Sequence, residues 1–206
     1  MKEHPIIFNG EMVLAILDGS KKQTRRPVKP QPPFEFRWLG WTNPDPIDKE
    51  RPKAMWVDDL SNWKRIHELK SPFGIPGDHL WIKEVWHQHP IDDFDDPGLI
   101  CYKASTICIG SGINWRSSRF MPRWASRINL EIVNVRVERL QEISKQDAID
   151  EGMYCGFIAG KYNFSIGACD AYTANYRASW DNIYAKRGYP WESNPWVWVI
   201  DFRRIE

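Results

Sequence analysis

The most regular pattern in the chain is an alternation of hydrophobic and polar residues over positions 126–140. It predicts a long strand with two hydrophobic sets, Ile128, Leu130 and Ile132 on even positions and Val133, Val135 and Val137 on odd ones. After Ile132 the hydrophobic residues change from even to odd positions, so the face of the strand that is buried changes. Such a change is typical of a β-bulge. Because bulged strands bend and bending closes small sheets, we expect a curved or barrel-like sheet.

Four shorter hydrophobic runs predict further strands, at positions 5–8, 79–86, 99–104 and 195–205. In the second run, Leu80, Ile82 and Glu84 share one face of the predicted strand. In the last run, one face carries the four large residues Trp196, Trp198, Ile200 and Phe202. Five or six strands are therefore expected.

Helical spacing and end signals predict three helices. The first has Asn9 as N-cap, a stripe of Val13, Leu14 and Leu17, and Gly19 after its end. The second has Ser144 as N-cap, Asp147 three residues later, and Gly152 as its stop. The third spans about 170–187, ends at Gly188, and carries one aromatic stripe of Tyr172, Tyr176, Trp180 and Ile183 or Tyr184.

Residues 27–76 are rich in Pro, Trp and charge and have no sustained periodicity. They predict an irregular surface insertion with one helical stretch at about 58–69. Since the strands mostly do not alternate with helices, the pattern favours an α+β fold in a single domain, residues 1–206, built around a curved sheet.

Composition excludes several classes of protein. The net charge is +1, so attraction to a polyanion must come from a local patch. No hydrophobic run has the length of a membrane span, and positions 1–10 lack a signal-peptide core, so we expect a cytoplasmic protein. Four cysteines without C-x-x-C spacing predict free thiols. The 12 tryptophans either fill the core or offer faces for stacking bases.

A basic cluster follows the first helix and contains Lys21, Lys22, Arg25, Arg26 and Lys29. Cations after a helix C-terminus interact favourably with the helix dipole, and they can also bind phosphates. Thr24 lies within this cluster, and a neutral lysine can act as the base for a hydroxyl nucleophile. The spacing leaves the structural and the catalytic interpretations open.

Glu151 stands in the last turn of the second helix, where the helix dipole disfavours negative charge. It is either a solvated surface carboxylate or a carboxylate tuned for acid–base catalysis. His87 and His89 share one face of a strand but lack a third ligand, so neither a metal nor another cofactor is expected. The chain has no P-loop, G-x-S-x-G or G-x-G-x-x-G motif.

The chain resembles the ASCH family of the PUA-like superfamily, and in particular the ~200-residue ASCH proteins of phages and prophages. The resemblance lies in five segments in order: ILDGSKKQTRR (16–26), PGDHLWIKEVW (76–86), MPRWASRINLEIVNVRVERL (121–140), RLQEISKQDAIDEGM (139–153) and NPWVWVIDF (194–202). The resemblance implies a PUA-like β-barrel flanked by helices, with a cleft for RNA or nucleotides. If a phage encodes the protein, it implies a location in the cytoplasm of the bacterial host.

Some short ASCH proteins are amidohydrolases that deacetylate N-acetylcytidine, and their G-x-K-x-x-T motif matches positions 19–24. The resemblance therefore implies Lys21, Thr24 and Glu151 as catalytic residues. The expected substrate-binding residues are Lys22, Arg25, Arg26, Trp86 and Trp124. The expected partner is a nucleoside or RNA. An RNA- or single-stranded nucleic-acid-binding module and a metal-independent ribonuclease are the alternative functions.

Overall fold

The computed structural model describes residues 1–33, 37–42, 53–57, 66–89, 98–105, 113–154 and 171–205. The fold is α+β, as predicted. Its elements are β1 (Glu3–Ile7), α1 (Gly10–Leu17), β2 (Gln23–Pro27), β3 (Arg37–Thr42), β4 (Lys53–Val57), β5 (Ile66–Lys70), β6 (His79–Lys83), β7 (Trp86–Gln88), β8 (Ile100–Tyr102), β9 (Asn129–Arg139), α2 (Lys145–Asp150), α3 (Ala171–Tyr184) and β10 (Trp196–Ile205). None of the helices in these ranges has the length and apolar character that crossing a membrane requires.

The main sheet has five strands in the order β1–β6–β9–β10–β2. β1 runs parallel to β6, and the other pairs are antiparallel. The two outer strands, β1 and β2, do not pair with each other within the described ranges. The predicted sheet is thus present as a mixed sheet, and its curvature and its closure into a barrel stay predictions.

The predicted bulge is confirmed. Along β9 the pairing with β10 shifts register where Asp201 and Phe202 face Asn134 and Ile132. Val133 is left out of the ladder and its side chain is exposed. The buried residues change from Leu130 and Ile132 to Val135 and Val137 across this point. Because of the extra residue, the even-numbered hydrophobic side chains before the bulge and the odd-numbered ones after it both point into the core.

β10 is buried on both faces. Trp196, Trp198, Ile200 and Phe202 pack in the main core with residues from β1, β6, β9 and α1. Val197 and Val199 pack on the opposite face, against α2 and α3. The main sheet therefore separates two apolar layers, and β2, as its edge strand, lies beside both of them.

The irregular insertion predicted over 27–76 is wrong at 37–42, 53–57 and 66–70, which are strands. β3, β4 and β5 form a three-stranded antiparallel sheet. Trp56 of β4 is fully buried and meets Trp196 at 5.6 Å between ring centroids, so this sheet joins the main core. The helix predicted at 58–69 is wrong at 66–69, which belong to β5, and 58–65 lie outside the described residues.

The three predicted helices are confirmed, with one correction. The Asn9 side chain caps α1 by accepting a hydrogen bond from the Met12 N–H at 2.8 Å. The buried residues of α1 are Val13 and Ile16, whereas Leu14 of the predicted stripe is half exposed. Leu17 is partly buried and packs against the main core, so the predicted stripe is wrong only at Leu14; Ile16 is buried instead because residues three apart share one face of a helix.

The prediction of free thiols is wrong at Cys101, which is disulfide-bonded. Cys108, Cys155 and Cys169 lie outside the described residues. Spacing along the chain could not reveal this bond, because it depends on which segments the fold brings together.

Candidate functional site

The basic cluster turns back against the end of α2. The Lys21 N–H donates to the Ala15 carbonyl at 2.8 Å, and the Lys22 N–H donates to the Asp150 carbonyl at 2.7 Å. Lys21 also forms an isolated antiparallel bridge with Glu151. Two segments 130 residues apart are thereby joined through their backbones, which fixes the relative position of the side chains.

Lys21 and Glu151 form a buried ion pair. The Lys21 Nζ lies 2.5 Å from the Glu151 Oε2 and donates to the Glu151 carbonyl at 2.9 Å. Only 2% of Lys21 and 3% of Glu151 is exposed to solvent, so Glu151 is no surface carboxylate. Burial lowers the pKa of the Lys21 amine, with Arg26 and Arg25 adding to the effect and Glu151 opposing it. A lowered pKa makes the neutral, basic form of the amine easier to reach.

Arg25 lies beside the second oxygen of the Glu151 carboxylate, Oε1. Its guanidinium is fully buried and forms ion pairs with Glu138 at 3.1 Å and Asp147 at 3.3 Å. It also lies 3.7 Å from the Glu151 Oε1, beyond hydrogen-bond distance. That oxygen is buried and has no hydrogen-bond partner among the described residues. The carboxylate therefore keeps one oxygen with capacity to accept a proton or a hydrogen bond.

A second layer of charges surrounds Arg25. Gln23 donates to Asp201 at 2.6 Å and to Asp147 at 3.1 Å, and Arg136 pairs with Asp147 at 3.1 Å and with Asp201 at 2.6 Å. Burial raises the pKa of Asp147, but hydrogen bonds from Ser144 and the charge of Arg25 outweigh this and lower it to about 2. Asp147 therefore stays ionised and holds Arg25 in place.

Glu151 and Thr24 line one small cavity between β2 and α3. Its wall consists of Met12, Thr24, Arg25, Arg26, Glu151, Tyr176, Ser179, Trp180, Ile183 and Tyr184. The space open to the centre of a water molecule is about 10 Å³, which is about what one bound water needs. Lys21 does not line the cavity and reaches it through Glu151.

Arg26 closes one side of this cavity. Its guanidinium donates to the Tyr184 hydroxyl at 2.9 Å and to the Ile7 carbonyl at 2.8 Å. It also lies 4.9 Å from the centre of the Phe8 ring. These contacts fix the guanidinium of Arg26, which lines the same cavity as Thr24 and could stabilise a developing negative charge there.

The aromatic wall comes from α3. Tyr176, Trp180 and Tyr184 form the buried stripe predicted for this helix. Burial, with the charge of Glu151 as the next cause, raises the pKa of the Tyr176 hydroxyl well above its ordinary value. The hydroxyl therefore keeps its proton and can only donate or accept hydrogen bonds. The 3.6-residue period of these three side chains predicted one face of a helix and by itself gave no sign of a site.

The other expected substrate-binding residues lie elsewhere. Lys22 points to solvent. Trp86 packs with Met121 and Ala125 in a separate cluster, and Trp124 is mostly exposed. The structure therefore brings Lys21, Thr24, Arg25, Arg26 and Glu151 together and leaves Lys22, Trp86 and Trp124 outside the cavity.

Gly152 allows the close approach of Lys21 to α2. Its φ is +85°, and a Cβ at this position would lie 3.2 Å from the Lys21 Cβ and 3.1 Å from the Ala15 Cβ. We expect Gly152→Ala to lower the free energy of unfolding by about 2 kcal/mol or more, from backbone strain and this crowding.

Gly188→Ala is the matched control for this substitution. Gly188 has nearly the same φ, +87°, but nothing within 4 Å of an added Cβ, so it measures the backbone strain alone. Urea unfolding of both variants measures how much free energy of unfolding each one loses. Equal losses would contradict the claim that Gly152 is needed for the Lys21 contact.

Within the described ranges, no group of three or more His, Cys, Asp or Glu side chains is arranged to hold a metal ion. His87 and His89 lie with ring centroids 5.0 Å apart. No family model, no curated protein and no solved structure matches this chain.

Proposed function

We propose that this chain is an ASCH-type, PUA-like hydrolase that removes the acyl group from the exocyclic amine of a modified pyrimidine nucleoside, with N-acetylcytidine as the type substrate. The observation that carries the proposal is the meeting of Lys21, Thr24 and Glu151 at one edge of the sheet. Thr24 and Glu151 line the same cavity, and Lys21 is ion-paired to Glu151. These residues come from two segments that are far apart in the chain, and a solvated face would not bury all three.

In the proposed reaction, the proton shared by the ion pair first moves from Lys21 to Glu151, which leaves a neutral amine and a protonated carboxyl group. The Thr24 hydroxyl then attacks the acyl carbon, and its proton passes to the Lys21 amine through the Glu151 carboxyl group. The carbon–nitrogen bond of the amide breaks, and the leaving exocyclic nitrogen takes a proton from Glu151. The ion pair at 2.5 Å supplies the path by which Lys21 returns a proton to Glu151. Water then hydrolyses the threonine ester, which releases the carboxylic acid and restores the hydroxyl.

Two further features support this division of roles. The Glu151 Oε1 has no hydrogen-bond partner among the described residues, so it can accept from the substrate N–H before it donates to the leaving amine. Arg26, held by Tyr184 and the Ile7 carbonyl, stands where the acyl oxygen would gain negative charge.

The cavity has space for about one water, so a nucleoside needs more room than it offers. In the proposal, binding moves the α3 wall of Trp180, Ile183 and Tyr184 away from β2. The flat faces of Trp180 and Tyr184 then contact the pyrimidine ring.

The test is incubation of the purified protein with N-acetylcytidine, followed by chromatography. We expect release of cytidine and acetate in equal amounts, without added metal. A panel of acylated nucleosides would define which acyl group and which base are accepted. Cytidine release no faster than that of the Thr24→Ala variant would overturn the proposal. Cleavage of RNA on a gel without deacylation would favour the ribonuclease instead.

A further inference from the structure

A second surface, remote in sequence from the proposed catalytic residues, is basic and aromatic. Residues 113–127 contain four arginines, Arg116, Arg119, Arg123 and Arg127, and no acidic residue. Between them stand two large aromatic side chains that face solvent, Phe120 with 73% and Trp124 with 61% of its surface exposed. Large aromatic side chains are usually buried, so their exposure beside arginines indicates a binding surface.

Part of this surface is built on Trp86. Its buried indole meets the Trp124 ring edge to face at 5.8 Å between centroids. The Arg116 guanidinium lies 5.1 Å from the Trp86 ring. Arg116 and Trp124 therefore both contact the Trp86 indole.

The outward face of β6 extends the surface. Lys83 donates from its Nζ to the Arg119 carbonyl at 2.6 Å and lies 5.4 Å from the centre of the Trp81 ring. Arg123 lies 5.9 Å from the same ring. Trp81 and Lys83 thus border the turn that carries Arg119 and Phe120.

Two of the four arginines form ion pairs with carboxylates, and the other two form none with the described residues. Arg123 pairs with Glu3 at 2.8 Å, and Arg127 pairs with the buried Glu84 at 2.8 Å. Arg116 and Arg119 form no ion pair with any described residue.

The basic cluster after α1 differs, because Lys21 and Arg25 are buried against carboxylates. Of the five residues of the basic cluster, only Lys22 and Lys29 are exposed to solvent. Within the described residues, arginines without an ion pair lie beside exposed aromatic rings at 113–127, the segment that contains the expected substrate-binding residue Trp124.

We propose that the surface formed by Trp81, Lys83, Arg116, Arg119, Phe120 and Trp124 binds single-stranded nucleic acid. Unpaired bases stack on the exposed faces of Phe120 and Trp124, while Arg116, Arg119 and Lys83 contact the phosphates. Stacking needs bases that are not already stacked in a duplex, so single strands are preferred. This proposal does not depend on the hydrolase activity.

The test is fluorescence anisotropy of labelled oligonucleotides of about 12 nucleotides, a length that spans several stacked bases. RNA and DNA of one sequence are compared with each other and with the duplex. We expect the wild type to bind a single strand, and the Phe120→Ala/Trp124→Ala variant to bind at least about tenfold more weakly. Phe120→Tyr/Trp124→Phe keeps both rings and should retain binding, provided that thermal unfolding shows each variant to be folded.

Charge is tested separately. Arg116→Ala/Arg119→Ala should reduce the slope of log affinity against log salt by about 1.4, since each lost phosphate contact contributes about 0.7. Lys22→Ala/Lys29→Ala removes the same charge from exposed lysines elsewhere and should leave the slope unchanged. A preference for RNA over DNA would indicate contacts to the 2′-hydroxyl.

Several results would overturn this inference. One is binding that Phe120→Ala/Trp124→Ala leaves unchanged. Another is a salt slope that falls equally in the two charge variants. A third is binding to phosphatidylserine–phosphatidylcholine vesicles in the absence of oligonucleotide binding. The Thr24→Ala variant should bind the oligonucleotide as the wild type does, so failure here and failure of the hydrolase proposal are distinguishable.

Discussion

Replacing Glu151 with Gln is expected to lower the free energy of unfolding by about 3 kcal/mol, one of the largest effects we predict for a single isosteric change. The Lys21 amine is fully buried and its one ion-pair partner among the described residues is Glu151, at 2.5 Å. Without the carboxylate, the buried cation faces Arg25 and Arg26, whose charges already lower its pKa. It must then remain charged at high cost or lose its proton.

A double-variant cycle separates this effect from ordinary packing. Lys21→Met removes the cation as well, so Lys21→Met/Glu151→Gln should recover about 2 kcal/mol relative to Glu151→Gln alone. Urea unfolding measures all three variants. Glu192→Gln, which breaks the exposed Arg177–Glu192 pair, is the control and should change stability by less than about 1 kcal/mol. Equal losses at Glu151 and Glu192 would contradict the role given to the buried pair.

Thr24→Ala is expected to reduce kcat/KM for N-acetylcytidine by at least about 10³-fold, because the proposed mechanism then lacks its nucleophile. Thr24 is buried in β2, opposite Ile200, and loses only a hydroxyl and a methyl group in this change. Thr24→Ser keeps the hydroxyl and should retain activity within about tenfold of the wild type.

Ser179 offers a second hydroxyl in the same cavity, on α3. Ser179→Ala should cost at most about tenfold, since it contributes to the wall and not to the acyl transfer. Deacylation rates measured under single-turnover conditions compare the three variants. Loss of activity in Ser179→Ala together with an active Thr24→Ala would assign the nucleophile to α3 and refute the proposed role of Thr24.

Both predictions depend on residues that the sequence marked for different reasons. Lys21 and Thr24 stood in a basic cluster, and Glu151 stood where a helix dipole disfavours a carboxylate. Each had an ordinary structural interpretation. Only the bridge between Lys21 and Glu151, and the cavity that Thr24 and Glu151 share, make a joint role testable.

What the sequence determined by itself was local. The phase change in β9 placed the bulge at Val133, and the caps at Asn9 and Ser144 placed the starts of α1 and α2. These features follow from side-chain period and from hydrogen bonds within a few residues, so they can be read without knowing the fold. The aromatic stripe of α3 was predictable for the same reason.

What the tertiary structure decided was which distant segments meet. A sheet within 27–76 depends on pairing between strands that are short and have little alternation, so no local pattern predicted it. The burial of Arg25 among three carboxylates and the aromatic wall of the cavity both join segments far apart in the chain. Strand order and the packing of α3 set these contacts, because charge pairing and cavity shape arise only between elements that the fold has already placed side by side.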